Sequence, residues 1–512
     1  MISPTWLAPS LRSDASAYRP RVPLPFGVQW GRRSFVLLHM KMLCVLDRSR
    51  SLPPPVVLLA LLVCAAVARA AEPPAAASNA RKPNIIFILA DDSGFADFGC
   101  YGHPYARTPN IDRLAAEGTR FRQFYSTGVT CAPSRAGLMT SRWPASYATY
   151  PANGGFGNQI TITQLLKDAG YATGHFGKWH IGPVEMAGTY GIDVVNTEVP
   201  GGKGNTTRGR DAPIYDAAIK FVESHVETSK DRPFYLNVWS HISHHKVNPP
   251  RSYVEKFKDV VVDESAFAGP MKEKFDACKA LGGDVGEHMR TYLADIFSMD
   301  EDIGRLLKRL DDLGLSDNTI VIFSSDQGPS DIRTNANDPQ KDLRLNAMGN
   351  TGIYRGGKHG MFEGGVRVPF IVRWPGRVPA NRVDEKSVIS GADFLPTLCA
   401  LAGVKINADD FVGEDASAAW IGKEEHVRTR PLLWKTSSPG SSAVIRDAQW
   451  KLIYPTRKNG GELELYDVVN DPTESANLAA QHPDVVKRLS ERVNAWVRTL
   501  PEQYVKTKDD DR

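Results

Sequence analysis

Seven residues, Asn84-Ile-Ile-Phe-Ile-Leu-Ala90, run without a charged side chain and then stop at two adjacent carboxylates, Asp91 and Asp92. An apolar run without polar alternation reads as a strand buried on both faces, which needs helices above and below it. The chain repeats the device. Phe234-Tyr-Leu-Asn-Val-Trp239 ends in a histidine cluster, and Thr319-Ile-Val-Ile-Phe323 ends in Ser324-Ser325-Asp326-Gln327-Gly328. The strand-like stretch 171–176 leads likewise into Gly177-Lys178-Trp179-His180. Helical patterns lie at 108–117, 162–169 and 292–313, the last with Ile296, Met299, Ile303, Leu306 and Leu310 on one face. Strands alternating with helices predict an α/β fold with a mostly parallel central sheet. The polar clusters fall just beyond strand ends, where ligands bind in open sheets of this kind.

The texture changes near residue 425. Short alternating strands are predicted at 442–446, 450–454 and 463–467, followed by a helix over 484–500. They make residues 426–512 a small α+β domain with an antiparallel sheet, after a larger α/β domain over 82–425.

At the other end, Val56 to Val67 is an apolar segment preceded by Arg48, Arg50 and a proline cluster, and it closes on Ala68-Arg69-Ala70. A basic region, a short apolar core and an A-x-A site read as a secretory signal over 42–70, with an uncleaved anchor as the alternative. The apolar core is short for a bilayer, so no stable membrane span is expected after cleavage near Ala70. Residues 1–41 are Pro- and Arg-rich and read as an upstream extension, with residues 71–81 as a linker. The mature protein is expected to be exported, periplasmic or extracellular.

A formal net charge of +4 on 512 residues, with no long basic block, does not indicate a nucleic-acid binder, and no nucleic-acid partner is expected. Of six cysteines, Cys44 and Cys64 fall in the signal region. Cys100, Cys131, Cys278 and Cys399 are scattered, which is neither a disulfide scaffold nor a zinc site.

Asp91-Asp92 and Asp326-Gln327 place carboxylates and an amide oxygen at two strand ends, a hard-oxygen set suited to calcium or magnesium. Lys178 and His180 stand two apart, and in an extended segment both would point to one side. His241, His244 and His245 lack zinc spacing and read better as one general acid with two supporting residues. Gly356-Gly357-Lys358-His359-Gly360, followed by 363–369, is a glycine-rich segment with a cation that lacks the P-loop ending and precedes no helix start. Cys131-Ala-Pro-Ser-Arg135 sets a cysteine and a cation in a polar, turn-like segment. Arg135, Lys178 and Lys358 could clamp one oxyanion.

In order along the chain, these motifs resemble the type I, formylglycine-dependent sulfatase family, of arylsulfatase and N-acetylgalactosamine-6-sulfatase type. Asp91 to Gly102 resembles its D-D-x-G-x-x-D-x-x-x-Y-G opening, and Thr108-Pro-Asn-Ile-Asp112 its T-P-N-x-D segment. Cys131 to Arg142 resembles C-x-P-S-R with a downstream T-G-R, Ser141 replacing the glycine; Gln327 stands where many relatives carry Asn. The resemblance implies an alkaline-phosphatase-like sandwich, a single calcium ion, and oxidation of Cys131 to formylglycine by a maturation enzyme. It implies that Asp91, Asp92, Asp326, Gln327 and modified Cys131 bind the metal. Lys178 and Lys358 would hold sulfate oxygens, His180 and Arg135 would position the formylglycine, and His244 would protonate the leaving group. One hydroxyl of the hydrated aldehyde would attack sulfur.

The activity so implied is hydrolysis of sulfate monoesters, on a sulfated carbohydrate or aryl sulfate. The neighbouring alternative is a phosphonate or phosphate monoester hydrolase. A non-catalytic binder of sulfated glycans predicts loss of Cys131, Lys178 or His244, and all three are present. Residues 183–213, with Gly201 to Gly204 and Arg208, and residues 329–351, with Arg333 and Arg344, are candidate substrate-facing loops. Asn205-Thr206-Thr207 is a glycosylation sequon.

Overall fold

A computed structural model describes residues 81–150, 155–182, 188–197, 207–332, 344–438, 440–455 and 462–505. The upstream extension, the export signal, Gly201 to Gly204, Asn205, Thr206 and Arg333 lie outside the described residues. What is described belongs to one compact unit.

The strands are β1 Asn84–Ala90, β2 Thr119–Tyr125, β3 Ala172–Gly177, β4 Val194–Asn196, β5 Phe234–Trp239, β6 Thr319–Ser325, β7 Arg367–Arg373, β8 Arg382–Asp384 and β9 Ile389–Ser390. They form one sheet in the order β4-β3-β5-β1-β6-β7-β2-β8, with β9 also paired to β2. β1 lies at its centre, parallel to β5 and β6, and β7 runs antiparallel between β6 and β2.

The eight longer helices described are α1 Pro109–Ala116, α2 Cys131–Thr140, α3 Ile162–Asp168, α4 Ala212–Ser229, α5 Gly269–Ala280, α6 Val285–Asp312, α7 Phe394–Leu401 and α8 Pro483–Val497. Ile86, Ile88 and Ala90 face the core formed with α1, α4, α5 and α6, whereas Ile85, Phe87 and Leu89 face α2, α3 and α7. That two-sided burial is why β1 carries no polar alternation. Each large side chain so buried contributes about 1.5–3 kcal/mol. A second sheet, antiparallel, joins β10 Leu432–Lys435, β11 Ala443–Asp447, β12 Trp450–Tyr454 and β13 Glu464–Asp467, with Leu489 and Val493 of α8 in the same core. The architecture is the expected α/β sandwich with a small C-terminal antiparallel sheet.

Three local expectations are corrected. Cys131 is not in a turn: it opens α2, and every residue of that helix is buried. The long helix starts at Val285, seven residues early, because Asp284 caps it by accepting from the Glu287 amide at 2.7 Å. The glycine-rich segment does lead into a helix, the single turn Glu363–Val366, before β7.

Candidate active site

Four segments end at one place beyond the carboxyl ends of the central strands. β1 delivers Asp91 and Asp92, β6 delivers Asp326 and Gln327, β3 delivers Lys178, and the loop after β5 delivers His244. Two glycines make the approach possible. Gly177 has φ +97°, and a Cβ there would lie 2.0 Å from the Trp239 carbonyl, which accepts the Lys178 amide at 2.9 Å. A Cβ on Gly328 would lie 1.9 Å from the Gly364 carbonyl, so the Asp326 loop can touch the glycine-rich segment that presents Lys358.

Cys131 sits at the centre. Its thiol lies 3.3 Å from Asp91 Oδ1 and 3.7 Å from Asp92 Oδ1, while Gln327 Nε2 at 3.6 Å and Lys358 Nζ at 3.5 Å donate to the sulfur. Burial and the carboxylates of Asp91 and Asp326 push this thiol well above its ordinary range. These surroundings disfavour the thiolate, although Cys131 opens a helix.

The cations pair across the same cluster. Arg135 donates to Asp326 Oδ2 from Nε at 3.0 Å and from Nη2 at 2.8 Å, and to the Lys178 carbonyl at 2.8 Å. Lys178 Nζ reaches Asp91 Oδ2 at 2.5 Å, and Lys358 Nζ reaches Asp92 Oδ2 at 2.8 Å. Burial alone would raise Asp91, but Lys178, His244 and Arg135 together hold it well below the usual carboxylate range. Asp326 goes the other way, to about 6, because burial and the charges of Asp91 and Asp92 outweigh Arg135. Both lysines are raised: burial opposes their charge, but the anionic groups around them prevail.

His241 and His244 separate. The His241 ring lies 3.5 Å from Asp211, whereas His244 Nε2 lies 3.8 Å from Asp92 Oδ2. His244 also groups with Asp91 and Cys131, their ligand atoms all within 4.8 Å of one another. Burial lowers its pKa, as does Lys178, against Asp91.

His180 departs from the expectation of a shared side with Lys178. Its φ of 59° is left-handed, and its ring is exposed and makes no hydrogen bond among the described residues. It still feels the cluster, since desolvation, then Lys178 and Arg135, push it down to about 4. Asp92, at φ 60°, is also left-handed, and such backbone costs about 1 kcal/mol or more outside glycine.

The oxygens of Asp91, Asp92 and Asp326 and the Cys131 sulfur lie within 4.8 Å of one another, a set that can surround one cation. Gln327 fits the same purpose. Its Oε1 is buried without a partner while its Nε2 abuts Asp92 Oδ1. Turning the amide end for end places an oxygen toward the carboxylates, an arrangement that a hard cation between them satisfies.

Sequence reasoning missed Ser330, whose hydroxyl donates to Asp92 Oδ2 at 2.7 Å; its position three residues after Gln327 was the available signal. Arg208 pairs with Asp216 at the protein surface.

The sequence model described as Sulfatase matches residues 83–404. The chain belongs to the sulfatase family. A second model, described as N-sulphoglucosamine sulphohydrolase, C-terminal, matches residues 349–499 of this sulfatase. It is 31% identical to an N-acetylgalactosamine-6-O-sulfatase of Bacteroides thetaiotaomicron, over 81% of this chain and 93% of that one. It is 30% identical to human arylsulfatase A, over 80% of this chain and 82% of that one. The crystal structure of Ps i-CgsB in complex with k-i-k-neocarrahexaose is similar at TM-score 0.67 and 26% identity, covering 84% of this chain and 96% of that one. A phosphonate monoester hydrolase of Agrobacterium radiobacter shares the fold at TM-score 0.60 and 20% identity, covering 82% and 96%. The sulfatase is an enzyme, and its reaction is hydrolysis of a sulfate ester.

Proposed function

We propose that this sulfatase removes sulfate from carbohydrates by means of a formylglycine formed from Cys131. The observation that carries this reading is the setting of Cys131 at the start of α2, fully enclosed by the carboxylates of Asp91 and Asp92, the Gln327 amide and Lys358. Oxidation to an aldehyde replaces sulfur with oxygen at the same position, and its hydrate is an oxygen nucleophile among oxygen ligands.

Asp91, Asp92, Asp326 and Gln327 hold one calcium ion together with the modified residue 131. When bound, calcium supplies Lewis-acid polarisation of sulfate and of the nucleophilic oxygen. The three carboxylates are matched in charge by Arg135, Lys178 and Lys358, so a divalent cation leaves the pocket net positive and ready for an anionic ester. Lys178 and Lys358, both partly buried, line the pocket and hold the sulfate oxygens, and Arg135 fixes Asp326 and the Lys178 backbone. His180, exposed at the rim and without a hydrogen bond to residue 131, takes no part in this arrangement. His244 gives its proton to the leaving alkoxide.

A carbohydrate substrate is supported by the N-acetylgalactosamine-6-O-sulfatase relative and by the oligosaccharide bound in the Ps i-CgsB structure. Export, as the 42–70 segment suggests, suits polymeric sulfated substrates outside the cell. The test is sulfate release from a panel of O-sulfated and N-sulfated sugars by enzyme produced with a maturation partner, alongside a phosphonate monoester. Release from a sugar sulfate at a higher kcat/KM than phosphonate cleavage supports the reading. Preference for the phosphonate contradicts it.

A further inference from the structure

The loop that carries His244 is gripped from beneath by one side chain that belongs to neither the metal cluster nor the anion clamp. Arg210 Nη2 donates to the carbonyls of His241 at 3.0 Å and His244 at 2.8 Å, and Nη1 donates to the carbonyl of Lys246 at 2.9 Å. The same Nη2 is anchored on Asp295 of α6 at 3.0 Å, a carboxylate with no exposed surface. The next residue completes the grip: buried Asp211 accepts the amides of His241 at 2.8 Å and Ile242 at 3.0 Å. One dipeptide thus holds two amides and three carbonyls of the six residues His241 to Lys246. A planar guanidinium can take several carbonyls at fixed angles, which an ammonium on a flexible stem cannot.

This geometry bears on chemistry through His244. Its Nδ1 contacts the His245 carbonyl at 2.5 Å, so Nε2 is the nitrogen turned toward the cluster, 3.8 Å from Asp92 Oδ2. A general acid works only within hydrogen-bond reach of the oxygen it protonates, and a displacement of about 1 Å can cost on the order of 100-fold. We propose that Arg210, braced by Asp295, is a positioning residue that sets the reach of His244 to the leaving-group oxygen. The inference rests on the reading of His244 as proton donor.

Arg210 bonds to backbone and to Asp295, not to Asp91, Asp92, Asp326 or either lysine, so its loss acts on leaving-group protonation more than on sulfate binding. The experiment uses the full-length, matured enzyme and a series of aryl sulfates whose phenols range from acidic to weakly acidic. Arg210→Met, Arg210→Lys and His244→Ala are compared with the parent for kcat and KM. For Arg210→Met, kcat on the poorest leaving group should fall by about 10- to 100-fold, part of what a general acid supplies. The fall should shrink to about 3-fold or less on the best leaving group, with KM nearly unchanged and partial rescue in Arg210→Lys, because an activated phenoxide needs little proton assistance.

A uniform loss across the series, or none, overturns the proposal. His244→Ala separates the two readings. If it shows the leaving-group dependence and Arg210→Met does not, Arg210 is not the positioner while the donor assignment stands. If His244→Ala shows no such dependence, the donor assignment fails and the inference with it. Should Arg210→Met not fold, Arg210→Lys carries the same series with the same criteria.

Discussion

Arg135 grips a single oxygen of Asp326 with two nitrogens, Nε at 3.0 Å and Nη2 at 2.8 Å, and neither side chain has any exposed surface. The other oxygen of Asp326 is left to the amides of Asp92 at 3.1 Å and Gln327 at 3.0 Å. The pair therefore ties α2, which begins at Cys131, to both acidic strand ends. Breaking one side of a buried pair strands the other charge, at a cost of about 3–5 kcal/mol. Arg135→Met is expected to lower the unfolding free energy by that amount, and Arg135→Met with Asp326→Asn to recover part of it. Denaturant titrations of the three proteins check this; a single variant within about 1 kcal/mol of the parent would contradict the assignment of a fully desolvated pair.

The strands that end in the site were legible because burial on both faces leaves an unbroken apolar run, as in β1 and β6. Their terminal carboxylates were legible because Asp91-Asp92 and Asp326-Gln327 share the same position after a strand in a chain that also carries the Cys131 motif. α2 was not legible. It is buried on every side, so it has no amphipathic stripe, and Pro133 and Gly137 weaken any helical signal. β2 and β7 were missed for another reason: arginines at Arg120, Arg122, Arg367 and Arg373 interrupt their apolar pattern and find partners only in the folded chain. Arg210 had no signal at all, since three of its partners are backbone carbonyls brought together by tertiary structure.

Gln327 carries the sharpest prediction about the metal. Gln327→Leu removes the orphaned amide oxygen while keeping the bulk of the side chain. The calcium concentration for half-maximal activity should rise by about 10-fold or more, in line with what disturbing a metal's surroundings costs. The calcium-induced rise in Tm should shrink in parallel. An unchanged calcium dependence on both readouts would remove Gln327 from the ligand set.

Stability should fall steeply in acid for a reason unrelated to catalysis. His103 accepts the amides of Tyr105 and Ala106 on Nδ1, both at 3.1 Å, and His175 is enclosed between Trp179 and Trp239. Burial pushes each imidazole from 6.5 down to about 3. The unfolded chain takes up these protons near pH 6.5, whereas the folded chain refuses them until about pH 3. Their contribution is complete above that upper value and is lost as pH falls, by about 1.4 kcal/mol per pH unit for each residue. His103→Gln keeps an acceptor for the two amides and removes one titration. Its stability should decline less steeply with acid by about that slope, measured by denaturation between pH 6 and pH 4 (roughly the window set by the two states). An unaltered slope would show that His103 titrates normally in the folded protein.

In the proposed mechanism residue 131 works as an aldehyde and not as a cysteine. This is tested most directly by the intact mass of the peptide containing residue 131, from protein made beside a formylglycine-generating enzyme. Conversion of the thiol to an aldehyde lowers the mass by about 18 Da, which the covalent chemistry assigned to this position requires. That loss is expected to rise in step with sulfate-ester hydrolysis across preparations. An active enzyme whose residue 131 keeps the full mass of cysteine would contradict it.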